Sequence, residues 1–160
     1  QIKKMISVDT VLENRLWKKK IKKSDIFFND IIKNLPKKYQ FINKKVSLAI
    51  LLSNNKSIKK LNKKFRKKNK ATDILSFPFD KKPFRKKEIY LGDIIISYDF
   101  MNKPKSLTNH QFKDKVFKIF IHGFLHLLDY NHTKLKDYKK MAKEEEKIYN
   151  SIKKKIEKFV

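Results

Sequence analysis

Twelve residues constrain this chain more than any others: Ile121-His122-Gly123-Phe124-Leu125-His126-Leu127-Leu128-Asp129-Tyr130-Asn131-His132. The chain has four histidines, and three lie in this stretch. His122 and His126 are four apart, so a helix sets both imidazoles on one face, a turn apart, in reach of one metal ion. His132 reaches the same ion only if the helix ends and the chain turns back. Three neutral imidazoles and a water form an open tetrahedral site, the arrangement of catalytic zinc rather than structural zinc. The competing reading, ordinary histidines on a half-buried helix, suits a lone His. It fits three at this spacing in a His-poor chain badly. Three imidazoles also suit nickel, copper or iron, so the spacing alone leaves the ion open.

Composition narrows the setting. A chain of 160 residues with 40% hydrophobic content is one domain, 1–160, with room for a real core. Its formal net charge of +26 is spread along the whole length. Such a surface attracts polyanions, nucleic acid before anionic membrane. Lys dominates, however, and Asn, Ile and Phe are abundant, as drift toward A/T-rich codons would produce. Charge alone therefore supports a nucleic-acid partner without establishing one. Against that background the rare residues stand out. Only Gly92 and Gly123 are glycine, and only three of the 42 basic residues are Arg. Arg66 persists in a lysine-rich segment, which points to a need for a planar bidentate fork, and phosphate is the natural ligand for one. A structural ion pair is the alternative. With no cysteine there is neither a disulfide nor a thiolate metal site. No apolar run approaches the roughly 18 residues of a membrane span, and no secretory segment is evident, so the expected location is the cytoplasm, with no membrane partner.

Taken in order, residues 2–8 read as an edge strand. Ser24 is the expected N-cap of a helix with Ile26, Phe27, Ile31, Ile32 and Leu35 as its stripe and Pro36 at its end. Val46 to Leu52 is nearly continuous and apolar, a central strand. Asn54 or Asn55 caps a helix in which Ile58, Leu61, Asn62 and Phe65 recur, delivering Arg66 at its end. Lys67-Lys68-Asn69-Lys70 is a loop, either plainly solvated or in contact with phosphate beside Arg66. Thr72 to Pro78 and Ile89 to Tyr98 are strands, with Gly92 where a side chain would obstruct a neighbour. Asp93 is expected in a strand-end hydrogen bond, with metal support or acid catalysis as alternatives. A long helix over 107–128 carries the histidines, with His110 on its surface. A last amphipathic helix over 133–160 turns Leu135, Tyr138, Met141, Ile148 and Ile152 inward, and Glu144-Glu145-Glu146 reads as a salt-laced surface. The fold expected is α+β: a small mixed four-stranded sheet packed with about five helices, the metal site on the His-bearing helix and the turn after it.

These segments resemble the YbeY family of bacterial rRNA maturation endoribonucleases. The resemblance rests on Leu61-Asn62 with Phe65-Arg66 and Lys68, on Thr72-Asp73-Ile74-Leu75-Ser76-Phe77-Pro78, on Leu91-Gly92-Asp93, and on His122-Gly123-x-Leu125-His126-Leu127 through Tyr130 and His132. It covers roughly residues 45 to 135 in the family's order. It implies one zinc ion per chain on His122, His126 and His132, with Arg66 and His122 as the catalytic residues. It also implies single-strand-specific cleavage of RNA, with roles in small-subunit rRNA maturation and ribosome quality control. The partners implied are rRNA, the small ribosomal subunit and ribosome-associated proteins. Two positions depart from the family's usual Gly-Tyr-Asp-His, which here is Asp129-Tyr130-Asn131-His132. If residue 129 is left-handed, Asp costs about 1 kcal/mol there relative to Gly. Asn131 removes a carboxylate that could orient a ligand.

The His-x3-His-x5-His spacing is also that of metzincin proteases, which place a Glu base directly after the first His. Here that residue is Gly123, so a hydrolase of peptides or amides is the weakest reading. A ribosome- or RNA-binding factor with a structural metal is the intermediate one. For the nuclease, either a metal-activated water or a ribose hydroxyl serves as nucleophile, and Arg66 stabilises charge on the phosphoryl oxygens.

Overall fold

A computed structural model describes residues 6–80, 87–130 and 134–156, apart from the side chains of two residues near its C-terminal end. Four strands form one mixed sheet in the order β1-β2-β4-β3. β1 (Ile6–Leu12), β2 (Lys45–Ser53) and β4 (Glu88–Ser97) run parallel, and β3 (Ile74–Pro78) pairs antiparallel with β4 at the sheet edge. Among the described residues the helices are α1 (Leu16–Lys20), α2 (Ser24–Lys33), α3 (Asn55–Arg66), α4 (Tyr98–Met101), α5 (Asn109–Leu127) and α6 (Leu135–Ile156), with a 3-10 turn at Lys37–Tyr39. The expected α+β architecture is therefore observed, and none of these helices is long and apolar enough to cross a membrane.

Alternation in the strands divides the core in two. Val46, Leu48, Ile50 and Leu52 of β2 are buried on one face of the sheet, with Ile89, Leu91, Ile94 and Ile96 of β4. Against them pack Phe27, Phe28, Ile31 and Ile32 of α2, the apolar side of α5, and Met141, Ile148 and Ile152 of α6. Trp17 is fully buried here, its Nε1 donating to the Ser53 carbonyl at 3.0 Å. Among the described residues the opposite face carries α3, and its buried cluster is Ile58, Leu75 and Ile95.

Gly92 sets the register between β2 and β4. Ser47 pairs with Tyr90 and Ala49 with Asp93, so two residues of β4, Leu91 and Gly92, lie opposite the single Leu48. Gly92 has φ +142°, and a Cβ there would stand 2.2 Å from the Phe77 carbonyl oxygen. No L side chain fits that position, in line with the obstruction expected there.

Several local expectations shift. The first strand lies over 6–12 rather than 2–8, and of the earlier stretch only Ile6, Ser7 and Val8 are within the described residues. Ser24 is the first residue of α2 rather than its cap, and the residue before it, Lys23, makes no side-chain cap bond. Asn54 does cap α3, accepting from the Ser57 amide at 2.9 Å. α5 opens with a capping box between Thr108 and Gln111. Leu135 and Tyr138, expected to face inward, are exposed, and so is Phe65. Phe65 sits on the last turn of α3, beside Phe77 of β3. Leu135 and Tyr138 occupy the first turn of α6, before Met141 reaches the core.

Candidate active site

α5 ends beside the edge strand. Its last turn closes in a Schellman arrangement: the Tyr130 amide donates to the Leu125 carbonyl at 3.0 Å, and the Asp129 amide to His126 at 3.1 Å. Asp129 is the left-handed residue, with φ 72°, and occupies the position where glycine is the usual solution. The turn also brings the Tyr130 carbonyl to His126 Nδ1, at 2.9 Å. A carbonyl only accepts, so Nδ1 of His126 carries the proton and Nε2 presents a lone pair.

His122 is oriented from a different element. Its Nδ1 lies 2.5 Å from Glu145 Oε1, on α6. A carboxylate accepts there, so the Nδ1 proton of His122 points at Glu145 and its Nε2 faces the other ring. The two Nε2 atoms stand 3.1 Å apart, with ring planes at 81°. His132, and with it Asn131, lies outside the described residues. Among the described residues no three His, Cys, Asp or Glu side chains gather around one point.

Gly123 sits between the two histidines and against β3. A Cβ there would meet Ile74 Cδ1 at 2.6 Å and Ser76 Oγ at 3.0 Å. Ser76 Oγ donates to the Gly123 carbonyl at 3.3 Å. At Gly123 the edge strand comes close, through the side chains of Ile74 and Ser76, which would have to shift for any larger residue there.

Arg66 arrives from the other side of the sheet. α3 ends at Lys67, left-handed with φ 58°, and the Lys68 amide returns to the Asn62 carbonyl at 3.2 Å. Buried Asn62 holds the following loop through its Nδ2, donating to the Lys70 carbonyl at 2.9 Å. Arg66 crosses the outer edge of β3, where its Nη2 donates to the Ser76 carbonyl at 2.8 Å. The hydrogen-bonded pairs of β3 with β4 include Asp73 with Ser97 and Phe79 with Leu91. By the antiparallel alternation the Ser76 carbonyl therefore points outward, and the guanidinium caps it.

One cavity of about 570 Å³ joins these parts. Arg66, Lys68, Lys70, Asp73, His122 and His126 line it. The structure thus brings Arg66 together with the two described histidines, and the lysine loop reaches the same space. Asp93 is elsewhere, exposed on the thin face, where it accepts from the Tyr90 hydroxyl. Burial, then that bond, holds the Tyr90 hydroxyl well above its usual range. His110 is exposed in the first turn of α5.

Glu145 is the residue that sequence reasoning missed. Its signal was present: residues 141, 145, 148 and 152 form one helical stripe, three of them apolar, and a carboxylate on a buried stripe needs a partner. Glu144 beside it accepts from the Tyr39 hydroxyl and lies 3.5 Å from Lys38 Nζ. The Tyr39 bond is the main cause of a Glu144 carboxyl held below its ordinary range. These contacts fasten α6 where Glu145 meets His122.

The comparisons agree with this architecture. The profile of the family described as Endoribonuclease YbeY matches residues 11–153. A protein of Pelagibacter ubique named Endoribonuclease YbeY is 65% identical over 152 residues, covering 95% of this chain and 99% of that protein. A protein of Sulfurihydrogenibium with the same name is 32% identical, covering 89% of this chain and 91% of its own length. The solution structure of TM1509 from Thermotoga maritima matches in fold with a TM-score of 0.50 at 22% identity, over 94% of this chain and 93% of that one. The chain belongs to the endoribonuclease YbeY family.

Proposed function

We propose that this protein is a zinc-dependent, single-strand-specific endoribonuclease acting in the cytoplasm on small-subunit rRNA, in its maturation and in ribosome quality control. Residues 1–160 serve as a single catalytic domain. The relatives' shared name supports the activity. The observation that carries the reading is one basic cavity walled by Arg66 and by two imidazoles whose Nε2 atoms are 3.1 Å apart.

The donor set fits a transition ion. Each described imidazole has its Nδ1 engaged by an acceptor, and both lone pairs converge, an arrangement that a shared cation stabilises. His122, His126 and His132 would hold it. When bound, the ion supplies Lewis acidity toward a phosphoryl oxygen or a water. The rest is assigned to the chain's own residues. Arg66 holds non-bridging oxygens of the scissile phosphate and opposes charge that grows on them. Lys68 and Lys70 hold flanking phosphates, so affinity falls with salt. Cleavage forms one P–O bond to water or a ribose hydroxyl and breaks the bond to the leaving ribose oxygen, which takes up a proton. Peptide hydrolysis is disfavoured because residue 123 is glycine, so the glutamate base that follows the first histidine in metzincins is lacking.

The test is metal content by mass spectrometry, followed by cleavage of a single-stranded RNA with and without chelator. His126→Ala is expected to lose bound zinc and at least about 100-fold in cleavage while keeping its circular dichroism spectrum. Full activity in that variant overturns the nuclease reading. RNA binding without any cleavage product, indifferent to chelator, assigns the protein as a binding factor instead.

A further inference from the structure

The thin face of the sheet carries a second cleft that the reaction described above does not use. It has a volume of about 490 Å³ and is lined by Val11, Leu51, Leu61, Phe65, Phe77 and Asp93. That volume lies in the range of small-molecule clefts, and the lining is mostly apolar. Phe65 is 59% exposed although it is among the largest apolar side chains of the molecule. Its ring lies 5.4 Å from that of Phe77.

Three features identify what the cleft accepts. First, both rings carry a cation: Lys64 Nζ is 5.2 Å from the centroid of Phe65, and Arg66 Cζ is 5.5 Å from that of Phe77. Second, Arg66 lines the histidine cavity and lies over the ring of Phe77, which itself lines the cleft, so the two spaces adjoin through that ring. Third, Asp93 pairs across the strands with Phe77 and presents a carboxylate on the same face. Cations over the two lining rings, beside a carboxylate that accepts from the Tyr90 hydroxyl and keeps further acceptor lone pairs, match a nucleotide. The phosphate belongs at the Arg66 end, and the N–H edge of a base belongs at Asp93. A second phosphate at the carboxylate would be repelled.

We propose that this cleft is a base-binding subsite, in which an unpaired base next to the phosphate held at Arg66 stacks on Phe65, beside the Phe77 ring that meets it edge to face, and donates to Asp93. The proposal rests on the nuclease reading and deepens it, because it places the selection of single strands in a defined pocket. A base engaged in a duplex has both its stacking faces and its N–H edge occupied, so it cannot enter. Aromatic platforms accept any base, so the subsite selects for strandedness more than for sequence.

The experiment measures equilibrium binding of a short single-stranded oligoribonucleotide to the full chain, in chelator so that nothing is cut. The same oligonucleotide annealed to its complement is the control. Phe65→Ala, at an exposed position, is expected to weaken single-strand binding about tenfold and duplex binding by less than about twofold. Phe65→Trp is expected to retain affinity and to show fluorescence quenching by the single strand but not by the duplex. The chain's single natural tryptophan, Trp17, is fully buried and does not interfere. Unchanged single-strand affinity in Phe65→Ala, or equal quenching by both forms, overturns the subsite and leaves this face to an apolar segment of a protein partner. The nuclease reading survives that result. Absence of any RNA binding by the unaltered chain removes both.

Discussion

The two faces of the sheet are built to different standards. One is covered by α2, α5 and α6 over a continuous core that includes Trp17, Phe28, Phe112, Phe117, Phe120 and Phe124, all fully buried. The other has α3 and a cluster of three buried residues. The candidate site lies where they meet, along the outer edge of β3. The thick face supplies the histidines, each imidazole oriented by a second group. The thin face supplies a guanidinium on a helix end and an open apolar cleft. Rigid packing and ligand access are thus separated by one strand, and Arg66 bridges them through the Ser76 carbonyl.

The sharpest way to break this division is at the strand pair that carries both faces. Gly92→Ala forces a side chain into the Phe77 carbonyl at a positive φ. A loss on the order of 3–5 kcal/mol is expected in denaturant unfolding, combining backbone strain with overpacking. A loss below about 1 kcal/mol would show that β3 is free to move away from β4, and the site's seam with it.

A smaller effect separates orientation from packing on the thick face. Glu145→Ala is expected to lower zinc affinity about 10- to 100-fold in a competition titration, with the melting temperature nearly unchanged. Equal affinity in the variant would return Glu145 to the surface salt network that its Glu-rich neighbourhood suggests.

The smallest expected effect concerns the fastening of α6. Glu144 titrates below its ordinary value of 4.5, chiefly because the Tyr39 hydroxyl donates to it. A depressed carboxyl stabilises the fold above that ordinary value and loses its contribution as pH falls through the lower folded value. Glu144→Gln is therefore expected to cost about 1 kcal/mol near neutrality and to flatten the acid limb of the stability profile below pH 4.5. An identical acid limb in both proteins would release Glu144 from this role.

Much of this architecture is legible in the residues themselves. The apolar run Val46 to Leu52, the Asn54 cap, the glycine demanded at 92 and the helical pair His122 and His126 are local consequences of residue type and spacing. The family follows from the order of its motifs. The positions that mislead are those where a stripe ends. Leu135 and Tyr138 keep helical period with Met141, yet they lie in the first turn of α6 and are exposed. Glu145 keeps the same period on α6, but its charge marks it as surface, because its partner lies on α5, 23 residues away.

The chain alone therefore decided most of its elements and the two-histidine face of one helix, which follow from neighbours within a few residues, and its family, which follows from the order of motifs along the chain. Only the tertiary structure decided that Arg66 passes over the edge of β3 into the histidine cavity, that Glu145 rather than a loop carboxylate orients His122, and that Phe65 borders an open cleft. Each of those depends on how separate elements pack, and packing distance is not written in sequence spacing.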